Sequence, residues 1–500
     1  MNMHKQLILA CAALTIACGV SAQRSYKRGL AEGGFTTRAE MDALAPGATW
    51  FYNWANTPNA GTNNEVINND DWDFCPMAWN ENWSEDRVRQ YVKAHPQTKY
   101  FLGYNEPNFH NQAEMTPEEA AKDWPRVQAI CSELGLKIVS PAVNNSSWAE
   151  WSDPVKWMRE FIKLVGIDAV DYIAFHAYGG MANITDTATR MWEEFHKPLW
   201  LTEFCYWPGG AGSVYVSPEQ QMNSMITMVK WCEKTDYIYR YAWFQAHEKK
   251  HFSASSDHKC PNYFLLELER YKDENGKTKT RFVPNERGYV YAYMSTYDPD
   301  VYFNADGTLY NAVDAADHEN VAMGKSTCTE ISKPIELTNI SNGAIIDYQF
   351  DVPSTDDYTL TLLASGYGEP TRFDPELSLV LLNADGSEGK ELCPVRKFTL
   401  PNDDNIYREY YLPCALTAGR QTLRVKGAGL PSGMRIAGVK LDLTAGIENV
   451  TADDNGTTAT APDVYDIAGR IVRSGVAAED ATEGLPAGIY IVDGKKLVVR

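Results

Sequence analysis

The chain has no CxxC pair and no Cys/His cluster at zinc-ligand spacing, although it carries 10 cysteines in 500 residues. A structural zinc or a dithiol redox centre is therefore excluded, and no metal and no cofactor is expected. Basic residues are in deficit: 46 Lys and Arg against 66 Asp and Glu leave a net charge of −20. That field excludes nucleic acid and anionic lipid as partners, whereas a neutral substrate such as a sugar is indifferent to it. The glycine-rich "GLAEGG" (29–34) lacks the GxGxxG spacing of a dinucleotide loop. Tandem repeats are absent, and low complexity is confined to one polar linker near the C-terminus.

What is present is a large apolar supply. Hydrophobic residues make up 44% and aromatics 12%, with 14 Trp and 28 Tyr, more than a core usually needs. Some of these rings are expected to face a ligand. The length implies two or three domains. The first 22 residues combine Lys5, the apolar "LILACAALTIACGV" and the small-residue "VSA" before Gln23. This is the pattern of a secretory signal peptide, too short to span a membrane. Cys18 after "LTIA" leaves lipidation open beside free secretion. The expected location is the periplasm, the outer-membrane surface or the medium, and no membrane span is expected. Cys393 and Cys414 flank an expected strand pair and are candidates for a bridge.

Eight short apolar runs begin at residues 27, 49, 73, 99, 137, 171, 198 and 240. They read "KRGLAEGG", "TWFYNWA", "DFCPMAWN", "KYFLGYNEPN", "KIVSPAVNN", "DYIAFHAYGG", "PLWLTEFCYW" and "RYAWFQAH". Helix-like segments with capping signals lie between them, such as "SEDRVRQYVKAHP" and "TPEEAAKDWPRVQAICSELG". Strand–helix alternation implies parallel strands with right-handed crossovers, and eight units imply a (β/α)8 TIM barrel over 23–300. Evenly spaced, alternating strands then predict an antiparallel β-sandwich over 301–445. Residues 446–500 read as a linker and a small C-terminal β-domain. The fold class expected is α/β with these two β additions, in a monomer.

In a TIM barrel the chemistry stands at the C-terminal strand ends. Glu106 ends the fourth run and Glu203 the seventh. By period-two alternation Glu106 shares its direction with Tyr104 and Leu102, and Glu203 with Leu201 and Leu199, all taken as inward. Two carboxylates over one pocket point to glycoside hydrolysis, with Glu106 as acid/base and Glu203 as nucleophile. Asn105 is expected to donate to a sugar 2-hydroxyl, and His176 and Tyr178 to hydrogen-bond Glu203. Aromatics at strand ends supply platforms for sugar faces. Candidate substrate contacts are Tyr52, Asn53, Trp54, Trp79, Tyr104, Asn108, Asn144, Trp148, Tyr206, Trp207 and Trp243, with Asn145 interleaved among them.

The motifs "KRGL", "WFYNWA", "FCPMAWN", "FLGYNEPN", "SPAV", "FHAYG", "LTEF" and "RYAWF" resemble, in order, those of glycoside hydrolase family 128 in clan A. The resemblance covers about 27–296. It implies a retaining endo-β-1,3-glucanase acting on β-glucan, with Glu106 and Glu203 in the roles above. "AEGG" departs from the Tyr that commonly follows the first motif, and "HEKKHFSASSDHK" is a long loop after the eighth strand. Alternatives are another clan A specificity, for β-1,4-glucan or mannan, or a surface glycan-binding protein without catalysis. The 301–445 region is similar to jelly-roll carbohydrate-binding modules, and the tail "VYDIAGRIVRSG" to "GIYIVDGKKLVVR" resembles sorting modules of secreted Bacteroidetes proteins.

Overall fold

The structure, a computed structural model, describes residues 24–58, 71–208, 215–247, 261–366, 373–401, 403 and 405–444. In the C-terminal region it describes 464–466, 471–473, 485–486, 488–492 and 495–499. The expected signal peptide, most of the long loop after the eighth run, Cys260 and the linker lie outside the described residues.

All eight runs are strands: β1 (Arg28–Ala31), β2 (Trp50–Tyr52), β3 (Asp73–Phe74), β4 (Tyr100–Leu102), β5 (Lys137–Val143), β6 (Tyr172–Tyr178), β7 (Leu199–Cys205) and β8 (Ile238–Phe244). Every neighbouring pair is parallel, in the order β3-β2-β1-β8-β7-β6-β5-β4. The two ends of this curled sheet meet just past β3, where Ala78 N–H donates to Leu102 O and Leu102 N–H to Pro76 O, both at 2.9 Å.

Helices α1 (Arg38–Leu44), α2 (Glu85–Ala94), α3 (Pro117–Leu134), α4 (Pro154–Val165), α5 (Met181–Phe195) and α6 (Pro218–Lys234) return the chain between strands. Local signals set their ends. Thr116 and Glu119 cap α3 reciprocally, Pro117 opens it, and Gly135 at φ 69° ends it in the left-handed region.

Two apolar layers result. Trp50, Leu102, Ala142, Ala174 and Trp200 fill the interior of the curled sheet. Phe175, Leu199, Leu201 and Trp243 belong to the shell shared with the helices. Inside, Arg240 lies 5.4, 4.6 and 5.3 Å from the Trp50, Tyr100 and Trp200 rings and pairs with Asp73 at 2.7 Å. Cation–π contacts and one carboxylate thus compensate a buried guanidinium.

The simple alternation assumed along β4 and β7 does not hold. Along β7, Phe175 pairs with Leu201 but the next residue, His176, pairs with Glu203. Thr202 is an inserted residue, and the register to β8 shifts at the same place. Without this bulge Glu203 would share the outward direction of Leu199 and Leu201; with it, Glu203 faces the site. Past β4, Leu102 is interior, but Tyr104 turns outward against Trp124 of α3, with ring centroids 5.5 Å apart. Glu106 then reaches the mouth through a backbone turn at φ 45°.

After β8 come a hairpin, β9 (Leu266–Lys272) with β10 (Thr278–Pro284), and helix α7 (Glu286–Tyr293). Two largely antiparallel six-stranded sheets follow. One centres on Ile345–Val352, Gly419–Ala428 and Glu376–Leu382; the other on Met434–Leu443, Asp356–Gly366 and Arg408–Leu416. Cys393 and Cys414 are both free, so the expected bridge is absent. Their strands are not paired with each other: Cys393 sits opposite Leu379 in one sheet, Cys414 opposite Tyr358 in the other. Four short strands within 464–499 form a last antiparallel sheet.

A buried hub ties β1 to α6 and to the end of α7. Arg28 pairs with Glu233 at 2.9 Å and donates to the carbonyls of Tyr291 and Ser295, each at 2.8 Å. Among the described residues no helix is long and apolar enough to cross a membrane.

Candidate active site

Glu203 is buried and surrounded by donors. Tyr52 Oη donates to its Oε1 at 3.0 Å and Trp54 Nε1 to the same oxygen at 2.7 Å. Tyr178 Oη donates to Oε2 at 2.5 Å, and His176 Nδ1 lies 3.5 Å from that oxygen. Burial raises the Glu203 carboxyl above its ordinary range, His176 pulls it back, Glu106 raises it again, and the Tyr178 and Trp54 donors favour its charged form. The three neutral N–H and O–H donors favour the carboxylate form, with Tyr52 Oη also within 3.1 Å of Thr202 O. Burial, with the Glu203 charge next, holds the Tyr52 and Tyr178 phenols well above their usual range, so both remain donors.

Glu106 is also buried, and its hydrogen bonds converge on one oxygen. Asn144 Nδ2 donates to Oε1 at 2.8 Å, and His176 Nδ1 meets the same atom at 2.9 Å. Oε2 has no hydrogen bond among the described residues. His176, fully buried, bridges the two carboxylates from β6. Burial lowers its pKa, but the Glu203 charge and the Glu106 hydrogen bond outweigh that and raise it. The expectation that His176 bonds Glu203 is thus corrected: its closer partner is Glu106, while Tyr178 serves Glu203.

One oxygen of Glu106, one of Glu203 and a His176 nitrogen all lie within 4.8 Å of one another. Three such donors are a set that could hold a metal ion. Their protons already account for the geometry, since Nδ1 is engaged by Glu106 and both Glu203 oxygens accept hydrogen bonds.

The carboxylates open into a cavity of about 590 Å³ walled by Trp54, Trp79, Phe109, Trp207 and Phe244, with Asn105, Gln112, Asn144, Asn145 and Asn183 as its amides. Of the expected sugar contacts, Trp54, Trp79, Asn144 and Trp207 line it. Trp54 and Asn144 have the second task of holding Glu203 and Glu106.

The other candidates take different roles. Tyr52 is fully buried beneath Glu203. Tyr104 gives its hydroxyl to Asp123 on α3 at 2.8 Å. Trp243 is fully buried in the outer shell, donating to Tyr263 O at 2.8 Å; alternation puts Phe244 in the cavity instead. Asn108 clamps Asn144, donating to its carbonyl at 2.6 Å and accepting its N–H at 3.1 Å. Asn53 donates to Thr57 O at 3.0 Å in its own turn, and Trp148 stacks on His110 with centroids 4.9 Å apart. Tyr206 is held through its backbone by Gln221. Asn105 lines the cavity, and one of the two Nδ2 protons goes to Gln112 Oε1 at 3.1 Å.

Sequence reasoning missed Phe109, Gln112, Gly179, Asn183 and Phe244. Only Phe244 carried a signal, two positions after the interior Ala242. Phe109, Gln112 and Gly179 sit on turns and bends, where no periodicity operates, and Asn183 lies in the first turn of α5.

No curated protein matches the chain. Among solved structures, a family 128 (subgroup II) endo-β-1,3-glucanase from Pseudomonas viridiflava is 30% identical, covering 54% of this chain and 98% of its own, with a TM-score of 0.44. Its counterpart from Sorangium cellulosum is also 30% identical over 53% and 97%, with a TM-score of 0.43. A subgroup I enzyme from Amycolatopsis mediterranei, solved with laminaritriose, is 24% identical over 54% and 99%, with a TM-score of 0.40. Residues 29–270 of this chain match the family model described as the glycosyl hydrolase catalytic core.

Proposed function

We propose that the chain is a secreted retaining endo-β-1,3-glucanase that cleaves internal bonds of β-glucan through Glu106 and Glu203. The observation that carries this reading is the approach of the two carboxylates, within 4.8 Å, at the base of an aromatic-walled cavity. Inverting enzymes keep their carboxyl groups about 6.5–9.5 Å apart to admit a water, whereas retaining ones hold them at about 5 Å. The match to the glycosyl hydrolase core over 29–270 agrees with it. The β-1,3 linkage is taken from the resemblance of the eight strand motifs to family 128, and secretion from the N-terminal leader.

In this mechanism Glu203 attacks the anomeric carbon as the carboxylate its donors favour. Glu106 gives a proton from Oε2 to the departing glycosidic oxygen, since Oε1 is occupied by Asn144 and His176. A glycosyl ester on Glu203 forms and one sugar chain leaves. Glu106, now ionised, takes a proton from water as that water attacks the same carbon, freeing Glu203 and regenerating the acid. We further read 301–445 as a carbohydrate-binding-module-like sandwich and the last sheet as a sorting-type module.

The test is hydrolysis of linear β-1,3-glucan, β-1,4-glucan and mannan by the full chain beside Glu203→Gln and Glu106→Gln. A ladder of short β-1,3-oligosaccharides from the wild type alone is expected. Turnover of another glycan alone would reassign the linkage. Binding without turnover would make the protein a glycan-binding one.

A further inference from the structure

The chain passes from the barrel to the sandwich through a segment that starts inside the protein. Helix α7 ends at Tyr293, and Met294, Ser295 and Tyr297 after it are buried. Linkers between independent domains are instead exposed and make few contacts. Polar groups from both sides meet here. The last carbonyls of a helix need donors from outside it. At the end of α7 Arg28 of the barrel donates to Tyr291 O and Ser295 O, and Lys333 of the sandwich to Tyr293 O, each at 2.8 Å. Lys333 is itself buried and pairs with Asp314. On α6, Lys230 Nζ donates to Asp317 Oδ1 at 2.9 Å and to His318 O at 2.5 Å, and Lys234 pairs with the other Asp317 oxygen. Burial opposes the Asp317 charge, but the two lysines outweigh it and hold its pKa down to about 2. His318, buried beside it, places Nε2 2.8 Å from the Tyr297 hydroxyl. Val229 and Cys232 of α6, Tyr291 of α7, and Ala315 and Met323 of the sandwich belong to one continuous buried apolar cluster.

We propose that the sandwich is a fixed brace of the barrel and not a tethered arm: its 314–325 edge docks permanently on α6 and α7, and the two units unfold together. Such a brace goes beyond the binding role read for the sandwich and is independent of the glycosidase reading. Separating the units would expose the shared apolar surface and, in the same step, strip Asp317 and Lys333 of partners across the interface. An interface continuous with both cores removes the usual freedom of domains to move against each other. The stability of the catalytic barrel then depends on strands that never approach its mouth.

Buried free cysteines report the two units separately in the full chain: Cys75, Cys131, Cys205 and Cys232 in the barrel, Cys393 and Cys414 in the sandwich. Wild type, Leu412→Val and Asp317→Ala are pulsed with iodoacetamide across a urea gradient, and the labelled peptides are resolved by mass spectrometry. Leu412 is fully buried on the strand Arg408–Leu416, at the end of its sheet away from the docked edge. In the wild type all these cysteines should become reactive at one urea midpoint. Leu412→Val should lower that midpoint by roughly 0.2–0.5 M, for the barrel cysteines as much as for the sandwich ones. Asp317→Ala, altered only at the interface, should also lower it for both sets. Sandwich cysteines that label at a different urea concentration from barrel cysteines would overturn the proposal. So would a Leu412→Val effect confined to Cys393 and Cys414, or barrel cysteines that Asp317→Ala leaves unmoved.

Discussion

Replacing Tyr178 with phenylalanine removes one oxygen atom and one proton from the shell of Glu203. The bond lost is 2.5 Å long, runs between two buried groups and ends on a carboxylate oxygen. Hydrogen bonds to charged groups contribute roughly 1.5–3 kcal/mol net, more than neutral ones. Tyr52 and Trp54 hold the other oxygen and survive the change, so Glu203 stays in place. What changes is its ionisation. The phenol donates to the charged form, so its removal disfavours the carboxylate and raises the Glu203 pKa. The acid limb of kcat/KM reports that ionisation in the free enzyme. It should move to higher pH, by one pH unit for each ~1.4 kcal/mol lost. The assay is the pH dependence of kcat/KM on soluble β-1,3-glucan for both proteins. An acid limb that stays put, or moves to lower pH, would refute the assignment of Glu203 as the group that must be ionised.

Arg28→Met should cost about 3–5 kcal/mol in chemical denaturation, because Glu233 and three backbone carbonyls lose a fully buried partner. Arg28→Met with Glu233→Met should lose less than the two single changes summed, and simple additivity would count against a coupled hub. Trp243→Ala should destabilise by about 3–5 kcal/mol, as deletion of a fully buried ring does. Phe244→Ala, at the cavity wall, should raise KM at smaller cost to stability; the reverse pattern would restore Trp243 to the site. His247 sits between Glu32 at 3.3 Å and Glu40 at 3.5 Å, and although burial opposes its charge these partners push its pKa up to about 9. A raised folded pKa stabilises fully below the ordinary histidine value near 6.5 and is lost as pH rises through about 9. Stability should therefore fall by about 3 kcal/mol between those limits and not in His247→Gln; parallel curves for the two proteins would contradict it.

The strand–helix alternation was legible because each unit carries its own punctuation. Thr116-Pro117 opens α3 and Gly135 ends it, and the apolar runs between such signals had nowhere to go but a buried parallel sheet. The glutamate pair was legible for a related reason: a carboxylate ending an apolar strand needs partners, and two at the fourth and seventh strand ends share a mouth. Side-chain direction was less legible. The inward stripe assumed for Leu199, Leu201 and Glu203 is divided by the bulge at Thr202, so Glu203 reaches the cavity although the parity argument was wrong. Tyr104 and Trp243 were misplaced for a different cause, being rings at strand ends that face the helices. The Cys393–Cys414 bridge is absent, and strands close in sequence joined different sheets.

By itself the amino-acid sequence determined the order of elements, the supply of apolar residues to bury and the presence of two carboxylates at strand ends. These follow from local propensity, capping and burial, which a short window of residues already contains. Only the tertiary structure decided which donors serve which carboxylate: Tyr52, Trp54 and Tyr178 for Glu203, Asn144 and His176 for Glu106. It also decided that Gln112 meets Asn105. The physical reason is that a bulge or a turn is defined by its pairing with other strands, so the direction of every side chain beyond it depends on residues far away in the chain.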